Sequence, residues 1–220
     1  GRKGEEVLNP ATAKPIGQLP HASTADLDAA LAAAAKGFAQ WKATSAYDRS
    51  KILRKAADLL RERWSAMTDV HQLFNILRKL KLTRHQAVHL IGEDYAWRLE
   101  EDALTTMLHE AVSGEVPIMC FVGSSGCIQI HTGAIQTVKP MGPWINILDP
   151  GFNLHLRTDH VKELWAVRKP TRDGHVTSME AYGADGQLIA QFFGERLEGR
   201  AERDDWRAMV EGLPRLECRQ

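Results

Sequence analysis

The 220-residue sequence has few cysteines, no long apolar run and no excess of charge of one sign. Its three cysteines, one of them Cys218 near the C-terminus, are an odd number, so we expect no disulfide framework and a reducing, cytoplasmic location. No apolar run approaches the ~18–20 residues of a membrane-spanning helix, and the first residues lack the apolar centre of a signal peptide. With 28 basic and 28 acidic residues, the formal net charge of zero gives no reason to expect nucleic acid or an anionic membrane as a partner.

This balanced charge is an average over two unlike segments. Residues 1–64 carry 11 basic and 7 acidic residues, a net charge of +4. Residues 65–220 carry 17 basic and 21 acidic residues, a net charge of −4. The whole composition, 44% hydrophobic and 25% charged, is typical of a folded globular chain. We therefore expect two domains, 1–64 and 65–220.

The first segment predicts a short hairpin followed by two helices. Turn signals at Asn9-Pro10 and Ile16-Gly17 accompany two short extended stretches. Ser23 and Ser45, each followed by an aspartate three residues later, are N-cap signals for the helices. The segment has no cysteine, no glycine-rich phosphate loop and no usefully spaced carboxylate pair. We expect a docking or capping element without an active site of its own.

The second segment changes from a helical to a strand-like period along its length. Short turn sequences, not helices, separate the strand patterns, which indicates an antiparallel meander and excludes a Rossmann crossover. The predicted class is α+β: a large antiparallel β-sheet meander with helices before and after it, preceded by the short hairpin and two helices. Helices are expected from about 68 to 80 and at 84–91, 99–112 and 201–213, and strands at 117–122, 127–132, 135–139, 144–148, 152–156, 161–168, 175–182 and 187–193.

Two pairs of candidate metal ligands have simpler interpretations. His85 and His89 are four residues apart on one predicted helix, but Gln86 stands where zinc proteases have glutamate, and no third ligand is evident. We favour surface or boundary histidines. Cys120 and Cys127 are expected on neighbouring strands as buried, unpaired thiols, because no CxxC spacing supports a metal site.

His71 is a more informative histidine by position. At 100° per residue, the apolar stripe of the predicted helix centres near Leu77, and His71 falls about 120° from that centre. It is therefore not a core histidine. The pattern alone favours a surface histidine over a ligand.

The first segment contains four distinctive motifs: NPAT at 9–12, IG at 16–17, ADLDAA at 25–30 and ILRKAADLL at 52–60. With these motifs it resembles the N-terminus of NAD(P)-dependent aldehyde dehydrogenases over about residues 5–63. Dehydrogenase activity is not expected, because that family's reactive cysteine, catalytic glutamate and cofactor-binding sheet lie further along the chain and have no counterpart after residue 64.

The second segment contains seven distinctive motifs: WSAMTDVHQLF at 64–74, GEDYAWR at 92–98, CIQIHTG at 127–133, MGPWINILDP at 141–150, FNLHLR at 152–157, VRKPT at 167–171 and FGER at 193–196. With these motifs, residues 64–215 resemble the HemS/ChuX family of hemin-degrading and hemin-transport proteins, and correspond to the C-terminal half of its duplicated, full-length members. The abrupt change of resemblance near residue 64 is chimera-like.

The second resemblance implies heme, iron protoporphyrin, as the bound cofactor. It makes His71 the proximal ligand of the heme iron, and this is the one metal-ligating residue it implies. Polar residues matching the propionate side of the family's pocket are Arg84, Lys169, Gln191 and Arg196, and Phe193 stands where some members have tyrosine. No catalytic residue is identified.

The same resemblance implies a cytoplasmic heme-binding protein of bacterial heme-iron utilisation, either delivering heme or degrading it oxidatively to release iron. Its expected partners are heme and a downstream heme oxygenase or an electron donor, with neither nucleic acid nor membrane insertion. In full-length members the N-terminal half supplies one wall of the heme cleft, so we expect a more exposed heme unless a homodimer closes the site. The alternative is a non-catalytic fusion or fragment of an aldehyde dehydrogenase with no heme function.

Overall fold

The chain divides into two compact units, Gly1–Arg54 and Lys55–Gln220. The computed structural model describes residues 4–124, 126–197 and 199–216, so Cys218 lies outside the described residues. The division falls within a helix, ten residues before the position at which the sequence resemblance changes. The domain boundary at residue 64 therefore stays a prediction.

The first unit contains the predicted hairpin and helices. Strands β1 (Gly4–Leu8) and β2 (Pro15–Pro20) pair antiparallel. Helix α1 (Thr24–Ala43) begins after Ser23, whose side chain accepts the Asp26 N–H while the Asp26 carboxylate accepts the Ser23 N–H. This reciprocal capping box satisfies two backbone donors that the helix itself cannot satisfy. Helix α2 (Ala46–Ser65) follows and continues into the second unit.

The second unit is built around antiparallel strands, with helices before, between and after them. Its remaining helices are α3 (Gln72–Leu80), α4 (Arg84–Leu90), α5 (Ala103–Ser113) and α6 (Asp204–Gly212), with a 3₁₀ turn at Thr158–His160. Its strands are β3 (Ala96–Leu99), β4 (Ile118–Gly123), β5 (Ile128–Gly133), β6 (Val138–Met141), β7 (Trp144–Asp149), β8 (Phe152–Arg157), β9 (Glu163–Thr171), β10 (Gly174–Tyr182) and β11 (Leu188–Gly194).

The strands form two antiparallel sheets. The large sheet has the order β3-β9-β10-β11-β4-β5, and β6, β7 and β8 form a separate three-stranded sheet. The α+β class is thus confirmed, and the strand order adds two features that the sequence pattern did not show. Strand β11 pairs back to β4, and β3 joins the edge of the sheet from a position before α5.

Alternating residues of β9 show that both faces of the large sheet are covered. Leu164 and Ala166 belong to a core shared with α5, α6 and the small sheet. Trp165 and Val167 point to the opposite face and pack with residues of α2, α3 and α4. Because side chains alternate between faces along a strand, the odd-numbered positions of β9 all face these helices.

Several local expectations are corrected by the structure. Helix α3 begins at Gln72, so His71 precedes its first turn and does not lie on its flank. Cys120 is buried on β4 as expected, but Cys127 is exposed before β5. No helix in the described ranges combines the length and hydropathy required to cross a bilayer.

Candidate functional site: a cavity on one face of the large sheet

A cavity of about 740 Å³ lies on the face of the large sheet that carries the helices α3 and α4. All six residues implied by the HemS/ChuX resemblance line it: His71, Arg84, Lys169, Gln191, Phe193 and Arg196. The apolar part of its wall comes from the turn before α3, from α3 and the connection between α3 and α4, and from strands β4 and β10: Val70, Leu73, Phe74, Leu77, Leu82, Met119, Phe121 and Val176.

Strand register brings the sheet residues of the cavity together. Phe193 on β11 pairs with Met119 on β4, and Gln191 pairs with Phe121 two residues away. Lys169 on β9 is opposite Val176 on β10. Each of these side chains lies on the sheet face that carries α3 and α4, so residues far apart in sequence form one surface. Phe121 and Phe193 meet edge to face, with ring centroids 5.4 Å apart.

The helical residues of the cavity are placed by local chain signals. Thr83 caps α4 by accepting the Gln86 N–H, and its own N–H is bound by the Gln86 side chain. Arg84, the first residue of that helix, thereby reaches the sheet. His71 lies in the turn before α3 and is exposed, and its ring makes no hydrogen bond to any residue in the described part of the chain.

Glu180 organises the polar part of the cavity, and the sequence analysis did not identify it. This completely buried carboxylate accepts two hydrogen bonds from the Arg84 guanidinium, both at 2.8 Å, and one from Lys169 Nζ at 2.7 Å. The uncharged groups that also donate to it are Ser178 Oγ at 2.8 Å, Tyr182 OH at 2.6 Å and Gln191 Nε2 at 3.1 Å. A signal for Glu180 was present in the sequence: a polar stripe on one face of a strand that is buried on both faces, formed by Ser178, Glu180 and Tyr182.

The protonation states of this cluster follow from burial and from the shared carboxylate. Burial raises the pKa of Glu180, but the Arg84 and Lys169 charges outweigh it and hold that pKa well below its ordinary value. Burial lowers the pKa of Lys169 to about 8. The attraction of Glu180 opposes this decrease, but the repulsion of the nearby Arg84 partly offsets that attraction. Burial and the adjacent Glu180 raise the pKa of Tyr182, so its hydroxyl remains a donor.

Ion pairing with Glu180 reduces the net positive charge of the cavity. Arg84 and Lys169 are not free cations, since both are paired with Glu180. These three groups leave one net positive charge, and Arg196 adds a second without a side-chain partner among the described residues. Arg78, which the sequence analysis missed, also lines the cavity and donates to Asn75 Oδ1 at 3.2 Å. Lys169 Nζ also lies 5.0 Å from the ring centroid of Phe193.

Family models match both segments of the chain. Residues 81–213 match the haemin-degrading HemS/ChuX domain, and residues 1–87 match the aldehyde dehydrogenase family. The HemS/ChuX match contains every cavity residue implied by the resemblance except His71, which precedes it. Both resemblances read from the sequence are thereby confirmed.

Individual relatives agree with the first of these matches. The hemin transport protein HmuS of Yersinia pestis is 46% identical over 150 residues, which are 68% of this chain and 44% of the relative. The structure of holo-PhuS, a heme-binding protein from Pseudomonas aeruginosa, has a TM-score of 0.71 and 48% identity, covering 73% of this chain and 46% of that one. ChuS, an E. coli heme oxygenase, has a TM-score of 0.69 and 44% identity, with 71% and 48% coverage.

The matched region is only part of each relative, since the chain spans less than half of their lengths. The HemS/ChuX model nevertheless covers more than half of this chain, with the large sheet and the helices α4, α5 and α6 inside it. The protein therefore belongs to the HemS/ChuX family.

Proposed function

We propose that the second unit binds heme in the cavity on the large sheet, and that the protein serves bacterial heme-iron utilisation. Its relatives are described as a hemin transport protein, a heme-binding protein and a heme oxygenase. The observation that supports the proposal most strongly is that the six residues implied by the family resemblance line a single cavity. We assign the function to residues 65–220, together with the end of α2 that packs with them.

The size and lining of the cavity suit a large, flat, apolar ligand with charged edges. Its volume of about 740 Å³ falls within the range of roughly 300–1,000 Å³ that small-molecule sites occupy. Phe74, Phe121 and Phe193 provide aromatic surface for the porphyrin faces. Burial of that apolar surface contributes about 25 cal/mol per Å² before the costs of association, so packing supplies much of the affinity.

The charges of the cavity complement the two propionates of heme. The Arg84–Glu180–Lys169 group carries one net positive charge, and Arg196 and Arg78 each carry another, so the cavity supplies at least as much positive charge as two carboxylates require. Since Glu180 fixes Arg84 and Lys169 in place, these side chains lose little entropy on binding. Arg196 remains free to make a direct bidentate contact with one propionate.

His71 is the residue we assign as axial ligand of the heme iron. A neutral imidazole nitrogen is a good ligand for ferric and ferrous heme, and the His71 ring is exposed at the cavity with no hydrogen bond to another described residue. His71 lines both this cavity and an adjoining cleft, as do Met119 and Arg196. The imidazole ring of His71 therefore has open space beside it.

Hemin titration of the full chain tests the ligand assignment. Wild-type protein should develop a shifted Soret band, and His71→Ala should change that band and weaken affinity by at least about tenfold, or ~1.4 kcal/mol. His109→Ala is a matched control, because His109 is an exposed histidine on α5 that does not line the cavity. Identical spectra and affinities for wild type and His71→Ala would refute the assignment.

The bound heme has two proposed fates, delivery to a partner or oxidative opening of the macrocycle with an external electron donor. Bound heme iron supplies the oxygen chemistry of the second, while the chain binds and orients the ring. Incubation of the hemin-loaded chain with ascorbate, air and catalase distinguishes them. Loss of the Soret band with release of iron identifies degradation, and a stable band with transfer of hemin to apomyoglobin identifies delivery.

A further inference from the structure

Two histidines and a glutamate form a cluster that does not line the heme cavity. His85 and His89 lie on successive turns of α4, and Glu163 is the first residue of β9. Glu163 Oε2 lies 3.1 Å from His85 Nε2 and 3.0 Å from His89 Nε2, and the two ring nitrogens are 3.3 Å apart. The sequence alone shows no third ligand for this histidine pair, and the fold supplies one from a distant strand.

These separations match a metal-binding triad. Ligand atoms bound tetrahedrally to Zn²⁺ at about 2.0–2.1 Å lie about 3.3–3.4 Å from one another. The three donor atoms are thus within a few tenths of an ångström of the required spacing before any ion is added. The i,i+4 spacing of His85 and His89 presents both rings on one side of the helix, since residues four apart lie on one face.

Neighbouring groups hold the three side chains in this arrangement. Trp165 Nε1 donates to Glu163 Oε2 at 2.7 Å, leaving that oxygen a second lone pair for an ion. The ring of His89 meets Trp165 at a centroid distance of 4.7 Å, and that of His85 lies 5.2 Å from Tyr182. Hydrogen-bonding and packing partners of this kind orient metal ligands in proteins.

The cluster is accessible to an ion from solvent. The side chains of His85, His89 and Glu163 are 26%, 41% and 19% exposed. Two imidazoles and one carboxylate are ligands that first-row transition metals accept, and a water molecule can complete the tetrahedron.

We propose that His85, His89 and Glu163 bind a divalent transition metal ion of the Zn²⁺ class, which joins α4 to the start of β9. The neighbour of His85 in sequence is Arg84, which pairs with Glu180 in the cavity. A bound ion would therefore hold the helix turn that carries Arg84. The inference does not rest on heme binding, because its three ligands and its probe are independent of the cavity.

Titration of the metal-free full chain with Co²⁺ tests the site. We expect one Co²⁺ per chain with the visible absorption bands of a tetrahedral ion, displaced by Zn²⁺. His85→Ala, His89→Ala and Glu163→Gln should each weaken binding by at least about tenfold, the lower end of the effect of losing a ligand or its supporting contact. His71→Ala and His109→Ala, which leave the cluster intact, should bind Co²⁺ as the wild type does.

Folding and binding are separated by a second measurement. Glu163→Gln preserves the size of the side chain, and Zn²⁺ should raise the Tm of the wild type but not of this variant, because only a ligand bound to the folded state stabilises it. Absence of tetrahedral Co²⁺ bands in the wild type, or bands of equal strength in His89→Ala and Glu163→Gln, would overturn the proposal.

Discussion

The Glu180→Gln substitution removes the carboxylate on which the polar part of the cavity depends. Glutamine has nearly the same size, so the change isolates the charge. In the wild type Glu180 is completely buried and accepts hydrogen bonds from Arg84, Lys169 and three uncharged donors. The variant leaves Arg84 and Lys169 without their counter-charge, and the repulsion between these two groups favours release of the Lys169 proton.

The size of the effect follows from this burial. Removing one partner of a buried ion pair costs about 3–5 kcal/mol, because the remaining charge stays out of water without compensation. The Lys169 contribution has an upper limit, since the amine can release its proton. Neutralising an amine of ordinary pKa 10.5 at pH 7 costs about 5 kcal/mol, at 1.36 kcal/mol per pH unit. We therefore expect the free energy of unfolding to fall by about 3–5 kcal/mol at pH 7.

The pH dependence gives the prediction a second, independent check. In the variant Lys169 is neutral when folded and protonated when unfolded, so the unfolded state binds more protons and stability rises with pH. The difference in the free energy of unfolding between the variant and the wild type should accordingly shrink between pH 7 and pH 8. In this range the wild-type amine, with a pKa of about 8, has not yet lost its own proton.

Unfolding in guanidinium chloride, followed by tryptophan fluorescence, measures both the free energy of unfolding and its pH dependence. Glu211→Gln is the matched control, because its carboxylate pairs with Arg168 at a site where the side chains are 32% and 27% exposed, and exposed pairs contribute only about 0–1 kcal/mol. A loss below about 1 kcal/mol for Glu180→Gln, or a loss equal to that of Glu211→Gln, would show that Glu180 does not organise the cavity.

Two further predictions concern the ligand and the domain boundary. Since Lys169 has a pKa of about 8, hemin affinity should fall about 2–10-fold between pH 7 and pH 9.5 as this cation is lost. Lys169→Arg should remove most of this decrease, because arginine stays charged. Equal pH profiles of hemin affinity for the two proteins would contradict this role of Lys169. Deleting residues 1–54 should leave hemin affinity within about twofold of that of the full chain. Deleting residues 1–64 also removes Leu60 and Trp64, which are 0% and 1% exposed. This longer deletion should destabilise the second unit by more than about 3 kcal/mol, as measured by thermal or denaturant unfolding. If both truncated chains are equally stable, the end of α2 is not part of the functional domain.

The position of Leu60 bears on how the two sequence segments meet. The aldehyde dehydrogenase-like motif ILRKAADLL extends to this residue, yet Leu60 packs in the same buried cluster as Trp165 and Tyr182 of the large sheet. Trp64, four residues later, donates its ring N–H to the Arg168 carbonyl at 2.9 Å. The boundary read from family resemblance and the boundary of the compact unit therefore need not coincide, because packing depends on which apolar side chains reach the core.

The sequence alone determined the local structure and the family. Period-two patterns separated by glycine-containing turns located eight strands of the second unit, because alternation of side chains is a property of each strand by itself. Cap signals at Ser23 and Ser45 located helix starts for a similar reason, since an N-cap hydrogen bond needs only four consecutive residues. Motifs along residues 64–215 were sufficient to identify the HemS/ChuX family.

Tertiary structure alone decided which of those residues meet. The short strand β3 followed a polar turn and lacked a clear alternating pattern, and it forms because β9 offers an unpaired edge. The pairing of Arg84 and Lys169 with Glu180 depends on the register between β9 and β10 and on the approach of α4, none of which a single segment specifies. The same holds for Glu163 beside His85 and His89. Ion pairs and ligand clusters arise between elements distant in sequence, whereas local patterns report only on one element at a time.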